Sequence, residues 1–407
     1  MVKILFIDMN SFFASVEQQE RPECRDKPIL VAPLLTDSTC AISASYEARA
    51  FGIKTGTSVR DAKTLCPEVI VIPADPKKYV LYHKKIIEVL DHYFSTVHVL
   101  SVDEMACVLG HRHQTKDTAS ALALKIKAHI KEYLGFYLRS SIGIGPNIFL
   151  SKVASDIEKP DGLTVFGSSY WFTLFKLKLT DLPGIASRTE ARLNSCNIYT
   201  VEDLWRARPH ELRAAWGSVV GERWYYMLRG SLEVDYGMHT SDIKKSVGHS
   251  HVLAPNLRNK EGVEEVLLKL TSKALKRLRS YNQEASRLYL SITYRHTKDL
   301  SKKYKWRIDK KQNVVTNDDL FWLPLVSGWS KEAPERSWFV PIKAAICFSE
   351  LTSSSKHQIG LFQDRRKYID LFHKIDKINQ AYGTKVEIAS VFKNTQAPFR
   401  ISFGKPG

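Results

Sequence analysis

Three acidic side chains, Asp8, Asp103 and Glu104, have the types and settings needed for metal chemistry. Two magnesium ions about 3.5 to 4 Å apart can bridge an attacking and a leaving oxygen when rigid elements project a cluster of hard carboxylates. Magnesium prefers a near-octahedral shell of oxygens and keeps several waters, so three carboxylates, a backbone carbonyl and substrate phosphates suffice. The carbonyl of Met9 is placed to be the extra ligand. Taken alone, an Asp ending a strand and an Asp-Glu pair in a turn are commonplace, so the surrounding sequence must decide.

The elements that would position these groups follow from hydrophobic periodicity. Residues 2–7 form a branched apolar run that reads as a buried strand delivering Asp8 at its end, and 10–19 reads as a helix. Residues 97–100 and 105–109 flank the acidic pair as two antiparallel strands of the same sheet, so the three carboxylates can meet on one edge. Between them lies a different texture: 41–51, then Gly52 and Gly56, then helical spacing over 59–65, as in a small inserted lobe. An amphipathic helix (122–133), a strand (138–144) and a helix over 147–157 that stops before Pro160 complete an α/β core over the first 165 residues. Short helices dominate from 170 to about 232, including one opened by the turn Leu182-Pro183-Gly184-Ile185. Residues 232–242 read as a tether into an α+β unit: a basic helix over 261–279, then strands at 286–294, 304–307 and 340–348. Within that helix Leu267, Leu270, Ala274 and Leu278 form the packed face and Lys269, Lys273 and Lys276 the exposed one. A Ser-rich joint at 353–355, an amphipathic helix ending at Tyr382 and a last strand near 386–391 close the pattern.

Composition narrows the classes. A chain of 407 residues is too long for one core and implies two to four domains. With 44% apolar and 25% charged residues and a mean hydropathy of −0.23, collagen-like, wholly disordered and membrane-spanning classes are excluded. The early carboxylate at Asp8 interrupts any signal-peptide core, so an unexported chain with no membrane partner is expected. The net charge of +17 is uneven: residues 241–311 carry 18 basic against 7 acidic side chains. That concentration favours a phosphate-tracking face and a nucleic-acid partner. The 6 cysteines contain no C-x-x-C pair, which signals neither a zinc knuckle nor a disulfide framework and fits a reducing cytoplasm.

Five collinear segments carry a resemblance. They are Ile7-Asp8-Met9-Asn10-Ser11-Phe12-Phe13-Ala14-Ser15-Val16-Glu17, Ser45-Tyr46-Glu47-Ala48-Arg49-Ala50-Phe51-Gly52, Ser101-Val102-Asp103-Glu104, Ser141-Ile142-Gly143-Ile144-Gly145 and Lys159-Pro160-Asp161-Gly162. In order and spacing they resemble the motifs of Y-family translesion DNA polymerases of the DinB/UmuC type, over essentially the whole chain. The resemblance implies a multidomain α/β right hand: palm at 1–10 and 76–165, fingers at 11–75, helical thumb at 166–233, linker at 234–243, α+β little finger at 244–350 and a tail at 351–407. It implies low-fidelity, template-directed primer extension past damaged bases, with two Mg²⁺ ions for which Mn²⁺ substitutes. Catalysis would rest on Asp8, Asp103 and Glu104. No separate acidic cluster for proofreading stands out in the sequence.

The same resemblance implies a deoxynucleoside triphosphate pocket of Phe12, Phe13, Ile42, Ser43, Tyr46, Arg49 and Lys159. Arg49 and Lys159 would serve as cations, Tyr46 and Ser43 as neutral donors on the phosphates. Phe13 would be the steric gate against a 2′-hydroxyl, Phe12 its core neighbour, and Ile42 the roof over the nascent base pair. Primer-template DNA would be held by a helix-hairpin-helix turn at Gly184 and Ala186 and by Lys244, Lys245, Ser246 and Gly248. Gln358-Ile359-Gly360-Leu361-Phe362 resembles the peptide with which bacterial polymerases plug into the sliding clamp, through Gln358, Leu361 and Phe362. The tail looks more like UmuC than DinB, which implies a UmuD-like accessory partner. Three positions depart from the pattern. Asn10 stands where many members carry Asp, Met105-Ala106-Cys107 follows the acidic pair, and Ala186 replaces a common second glycine. Two rival classes share features of this pattern: a catalytically silent, clamp-bound scaffold, and a cyclase or nuclease on a similar palm.

Overall fold

In the computed structural model the described residues are 2–37, 39–232, 244–354, 366–382 and 386. The chain divides near residue 240 into two compact units.

The first unit is organised by a five-stranded sheet. Strand β1 (Ile4–Met9) is buried at every position and lies in the middle, as its unbroken apolar run requires. Helix α1 (Phe12–Glu20) follows, then a three-stranded lobe from β2 (Ile29–Ala32), β3 (Ser43–Ala44) and, after helices α2 (Tyr46–Ala50) and α3 (Val59–Leu65), β4 (Ile70–Pro73). Helix α4 (Pro76–Asp91) leads back to the main sheet through β5 (Val97–Val99) and β6 (Glu104–Val108). Helix α5 (Lys116–Leu134), β7 (Ser140–Gly145), helix α6 (Ile148–Ile157) and β8 (Leu163–Val165) complete the order β5-β6-β1-β7-β8.

Helix α1, placed in the fingers by the expected boundary at residue 11, shares a core with both of its neighbours. Phe12, Phe13, Ala14 and Val16 of α1 are buried in the same cluster as Tyr79 and Ile86 of α4 and Ile126 of α5. Ile29 and Val31 of β2 and Ile72 of β4 lie in that cluster too, so α1 is buried between the main sheet's helices and the small lobe. The small lobe has its own core, from Leu30 and Ala32 to Val69.

Helix α6 joins two layers. It seats on β7 because Gly143 has no side chain there; an added Cβ would lie 2.0 Å from the Ser151 carbonyl oxygen. Its Phe149, Leu150, Val153 and Ala154 share a second core with Leu174, Leu193, Leu212 and Leu228. Those residues belong to the helical stretch α7 (Trp171–Leu174), α8 (Ser187–Asn194), α9 (Val201–Arg206), α10 (Pro209–Trp216) and α11 (Val219–Leu228). Asn147 caps α6 and also donates to the carbonyls of Met227 and Ser231, at 2.8 and 3.0 Å.

The second unit is a four-stranded antiparallel sheet of β9 (Ser246–Val252), β10 (Gln283–His296), β11 (Lys303–Thr316) and β12 (Phe339–Ser353), in the order β11-β10-β12-β9. Helices α12 (Lys260–Ser280) and α13 (Asp319–Lys331) contribute to the core on one face. Leu267, Ala274 and Leu278 of α12 are buried, whereas of the three lysines expected on its exposed face only Lys276 is fully exposed; Lys269 and Lys273 are half-buried. Three elements differ from the sequence reading. Strand β9 and helix α13, the latter with Pro324 inside it, were not expected, and β12 continues to Ser353, the first residue of the supposed Ser-rich joint. Helix α14 (Arg366–Tyr382) docks through Phe372, which is 4% exposed, and Asp376, whose Oδ2 lies 2.6 Å from Arg279 Nε. The expected strand at 386–391 lies outside the described residues except Val386, and so does the clamp-binding peptide Gln358, Leu361 and Phe362. Among the described residues no helix is long and apolar enough to cross a membrane.

Candidate active site and nucleic-acid interface

Register brings the first two carboxylates together. Strands β1 and β6 are antiparallel with Asp8 opposite Glu104, and the amide of Met9 donates to the Asp103 carbonyl at 2.9 Å. Asp103 accepts from the Ser101 hydroxyl at 2.5 Å. Burial raises the Asp103 carboxyl above its usual range, opposed by that hydroxyl and reinforced by Asp8. Burial likewise raises Glu104, and Lys152 opposes the shift.

Two ammonium groups lie among these carboxylates. Lys152 Nζ is 2.5 Å from Asp8 Oδ2, 2.8 Å from Glu104 Oε1 and 3.2 Å from Asp156 Oδ1. Lys159 Nζ is 2.7 Å from Asp8 Oδ2 and 2.8 Å from Asp156 Oδ1. Burial alone would lower both lysines, but Asp8 with its acidic neighbours more than offsets it and holds both above their usual range. Among the described residues no group of three or more His, Cys, Asp or Glu side chains converges into a ready cation cage. The donor chemistry nonetheless suits a hard cation, because oxygens of Asp8 and Glu104 are already shared by one positive charge. Lys152 and Asp156 escaped sequence reasoning. Their signal was the i, i+4 spacing of 152 and 156, which puts both on one face of α6, with Lys159 just past its end.

The other pocket residues fall into two groups. Tyr46 lies within electrostatic reach of Asp8 and Lys159, and the Arg49 guanidinium lies 5.2 Å from the Tyr46 ring centroid. Burial raises the Tyr46 phenol while Arg49 and Lys159 oppose it. Ser43, expected as a donor to phosphate, is otherwise engaged. Its hydroxyl donates to the Ser11 carbonyl at 3.2 Å and accepts from the Ala14 amide at 3.3 Å, so it fastens the small lobe to α1. Ile42 packs, half-buried, against the main core. Phe12 and Phe13 are both buried, and Phe13 stacks on Tyr79 with ring centroids 4.4 Å apart. The Tyr79 hydroxyl donates to Glu17 Oε1 at 2.9 Å, and Lys78 and Arg21 bind the other oxygen at 3.0 and 3.1 Å. Asn10, one of the departures from the family pattern, is 2% exposed. It accepts from the Asp161 amide at 2.8 Å and donates to Ser141 at 3.0 Å, fixing the loop that follows Lys159.

Two surfaces suit a polyanion. Gly184 adopts φ +99°, a left-handed turn, and Ala186 is the N-cap of α8 with no side-chain cap. This turn, with Lys152 and Asp156 opposite, lines an open depression of about 400 Å³. In the second unit Lys244 and Lys245 are exposed, and Lys244 Nζ lies 3.8 Å from the Tyr281 ring centroid. Ser246 and Gly248 alternate with the buried Val247 and so lie on the sheet face away from α12. The same face carries Lys303, Lys305, Arg307 and Lys311, all exposed, from β11. These were missed, although alternation with Tyr304, Trp306 and Ile308 was readable.

The comparisons agree with this architecture. Residues 7–156 match the impB/mucB/samB family, 244–361 its C-terminal domain, and 180–231 the DNA polymerase-iota thumb domain. DNA polymerase IV 1 of Bacillus subtilis (strain 168) is 30% identical over 390 residues, covering 94% of this chain and 91% of the relative. DNA polymerase IV of Moorella thermoacetica is 34% identical over 282 residues, covering 68% of this chain and 69% of the relative. A Y-family DNA polymerase chimera of Dbh and Dpo4 shares the fold, with TM-score 0.71, 23% identity and coverage of 86% of this chain and 99% of that one. The chain belongs to the Y-family DNA polymerases of DinB type, the impB/mucB/samB family. It is a DNA-directed DNA polymerase with a multidomain α/β right-hand fold.

Proposed function

We propose that this polymerase extends primers past damaged bases at low fidelity, using two divalent cations. What supports the reading most directly is the position of Asp8 and Glu104 on adjacent strands, holding one positive charge between them. Asp8, Asp103 and Glu104, with the Met9 carbonyl, would hold Mg²⁺ or Mn²⁺, which when bound supplies Lewis-acid activation of a primer 3′-hydroxyl and neutralises triphosphate charge. Lys159 and Arg49 carry the cationic groups for β and γ oxygens, and Tyr46 a neutral donor. Phe13, braced by Tyr79, sets a flat wall against a 2′-hydroxyl.

Primer-template DNA and a deoxynucleoside triphosphate are the expected partners; a related Dbh DNA polymerase structure is described as an insertion ternary complex. The Gly184–Ala186 turn would take backbone phosphates through main-chain N–H groups. The exposed lysines and arginine of β11, with Lys244, Lys245, Ser246 and Gly248, would track the duplex. Gln358, Leu361 and Phe362 would engage a bacterial sliding clamp, and a UmuD-like protein is a further candidate partner. The assigned domain boundaries belong to this reading.

Primer extension on undamaged and damaged templates with Mg²⁺, beside an Asp103→Ala control, tests it. Extension across lesions that Asp103→Ala abolishes is the expected result. A wild-type protein that binds primer-template but adds no nucleotide would leave only the scaffold reading.

A further inference from the structure

We infer that Lys152 is a resident counter-cation of the carboxylate site, which a divalent ion must displace and which a primer-strand phosphate draws away. The inference rests on the reading of Asp8, Asp103 and Glu104 as ion ligands. The Lys152 side chain is 13% exposed, and its nitrogen contacts the very oxygens of Asp8 and Glu104 that an incoming ion would share. An ammonium and a divalent cation a few Å apart repel strongly in a half-buried site, so both cannot rest there. Lysine suits such an exchange. Its charge is a compact point on a flexible stem, without the fixed fork that would tie an arginine to one carboxylate.

Two features give the displaced ammonium somewhere to go. Asp156, one turn further along α6, already lies 3.2 Å from Lys152 and 2.8 Å from Lys159. Lys152 and Asp156 also line the depression whose opposite wall is the turn from Leu182 to Ala186. A backbone phosphate in that depression attracts the ammonium by a charge-assisted hydrogen bond. Ion entry and primer entry then favour each other, and linkage makes the coupling equal in both directions.

The test is Mn²⁺ titrated into the full chain without DNA, with free ion followed by electron paramagnetic resonance, and repeated with primer-template. Lys152→Met should tighten DNA-free Mn²⁺ binding by about fivefold or more and shrink the tightening that DNA produces in the wild type. Asp156→Asn should do the opposite and weaken DNA-free Mn²⁺ binding, because both ammonium groups then rest on Asp8 and Glu104. A lysine that merely supports the fold would not tighten ion binding when removed, so unchanged or weaker binding by folded Lys152→Met overturns the inference. If Lys152→Met does not fold, Asp156→Asn decides: weaker binding supports the inference, equal or tighter binding overturns it. Mn²⁺ binding that is absent from the wild type, or survives Asp8→Ala, instead overturns the ion-ligand reading on which it stands.

Discussion

The two units each contain a buried meeting of cations and carboxylates, built in opposite ways. In the second unit Arg279, with its side chain 3% exposed, is bound on several sides. It reaches Asp319 Oδ2 at 2.5 Å, the Asn317 carbonyl at 2.9 Å and Asp376 at 2.6 Å. Burial would lower this guanidinium, but Asp376 and Asp319 more than offset it and hold it above its usual range. A planar fork in a closed carboxylate pocket is a clamp, here fastening α14 and α13 to α12. In the first unit, Lys152 and Lys159 place point charges on Asp8, Glu104 and Asp156, and Glu104 and Asp156 keep 30% and 32% of their side-chain surface exposed. The same charges form a closed clamp when forked and enclosed, and leave carboxylate surface open when pointlike.

The largest expected effect breaks the open cluster. Asp8→Ala or Asp103→Ala should lower primer extension by about 10³-fold or more with the fold retained, as circular dichroism and a DNA-binding assay would verify. Extension above a tenth of wild type would remove these residues from the chemistry. Breaking the closed cluster should show the reverse profile. Arg279→Ala leaves the buried Asp319 and the half-buried Asp376 without their cation, a loss of about 3 to 5 kcal/mol in the second unit, measurable by denaturant titration. Arg279→Lys should not restore it, since one point charge cannot serve both carboxylates and the carbonyl.

Two smaller effects sharpen the contrast. Phe13→Ala should raise ribonucleotide incorporation by about tenfold or more while largely sparing deoxyribonucleotide incorporation. Single-nucleotide kinetics decide, and unchanged sugar discrimination would remove Phe13 as the gate. The smallest effect concerns His249 on β9. Burial, then Lys273 and Arg277, push it from an ordinary 6.5 down to about 4. A lowered imidazole pKa means that the unfolded chain binds the extra proton between those two values. Stability is therefore full above about pH 6.5 and falls as pH drops toward 4. Allowing for solvent screening of a half-buried group, the loss is about 1 kcal/mol. His249→Gln should flatten that part of the thermal-midpoint profile, and an unchanged slope would place the sensitivity elsewhere.

Much of this was readable from residue order. The apolar run ending at Asp8, the strands around Asp103 and Glu104, the α6 pattern and the basic helix α12 all show in local periodicity, because each buries one face against a core. Helix α1 is apolar enough to suit either neighbour, and the tertiary structure buries it against both. Strand β9 was missed because polar and small residues dominate its outward positions. Ser43 looked free to meet a phosphate because nothing in a sequence shows that its hydroxyl faces the start of α1.

By itself the amino-acid order determined which acids have the chemistry to bind an ion, which strongly periodic stretches are strands and helices, and that the basic excess is concentrated beyond residue 240. Those properties reside in side-chain chemistry and in periods of two and 3.6 residues. The tertiary structure decided which charges meet. Lys152 lies 144 positions from Asp8 and Asp376 lies 97 from Arg279. Partners at such separations are chosen by the packing of whole elements, which no local pattern records.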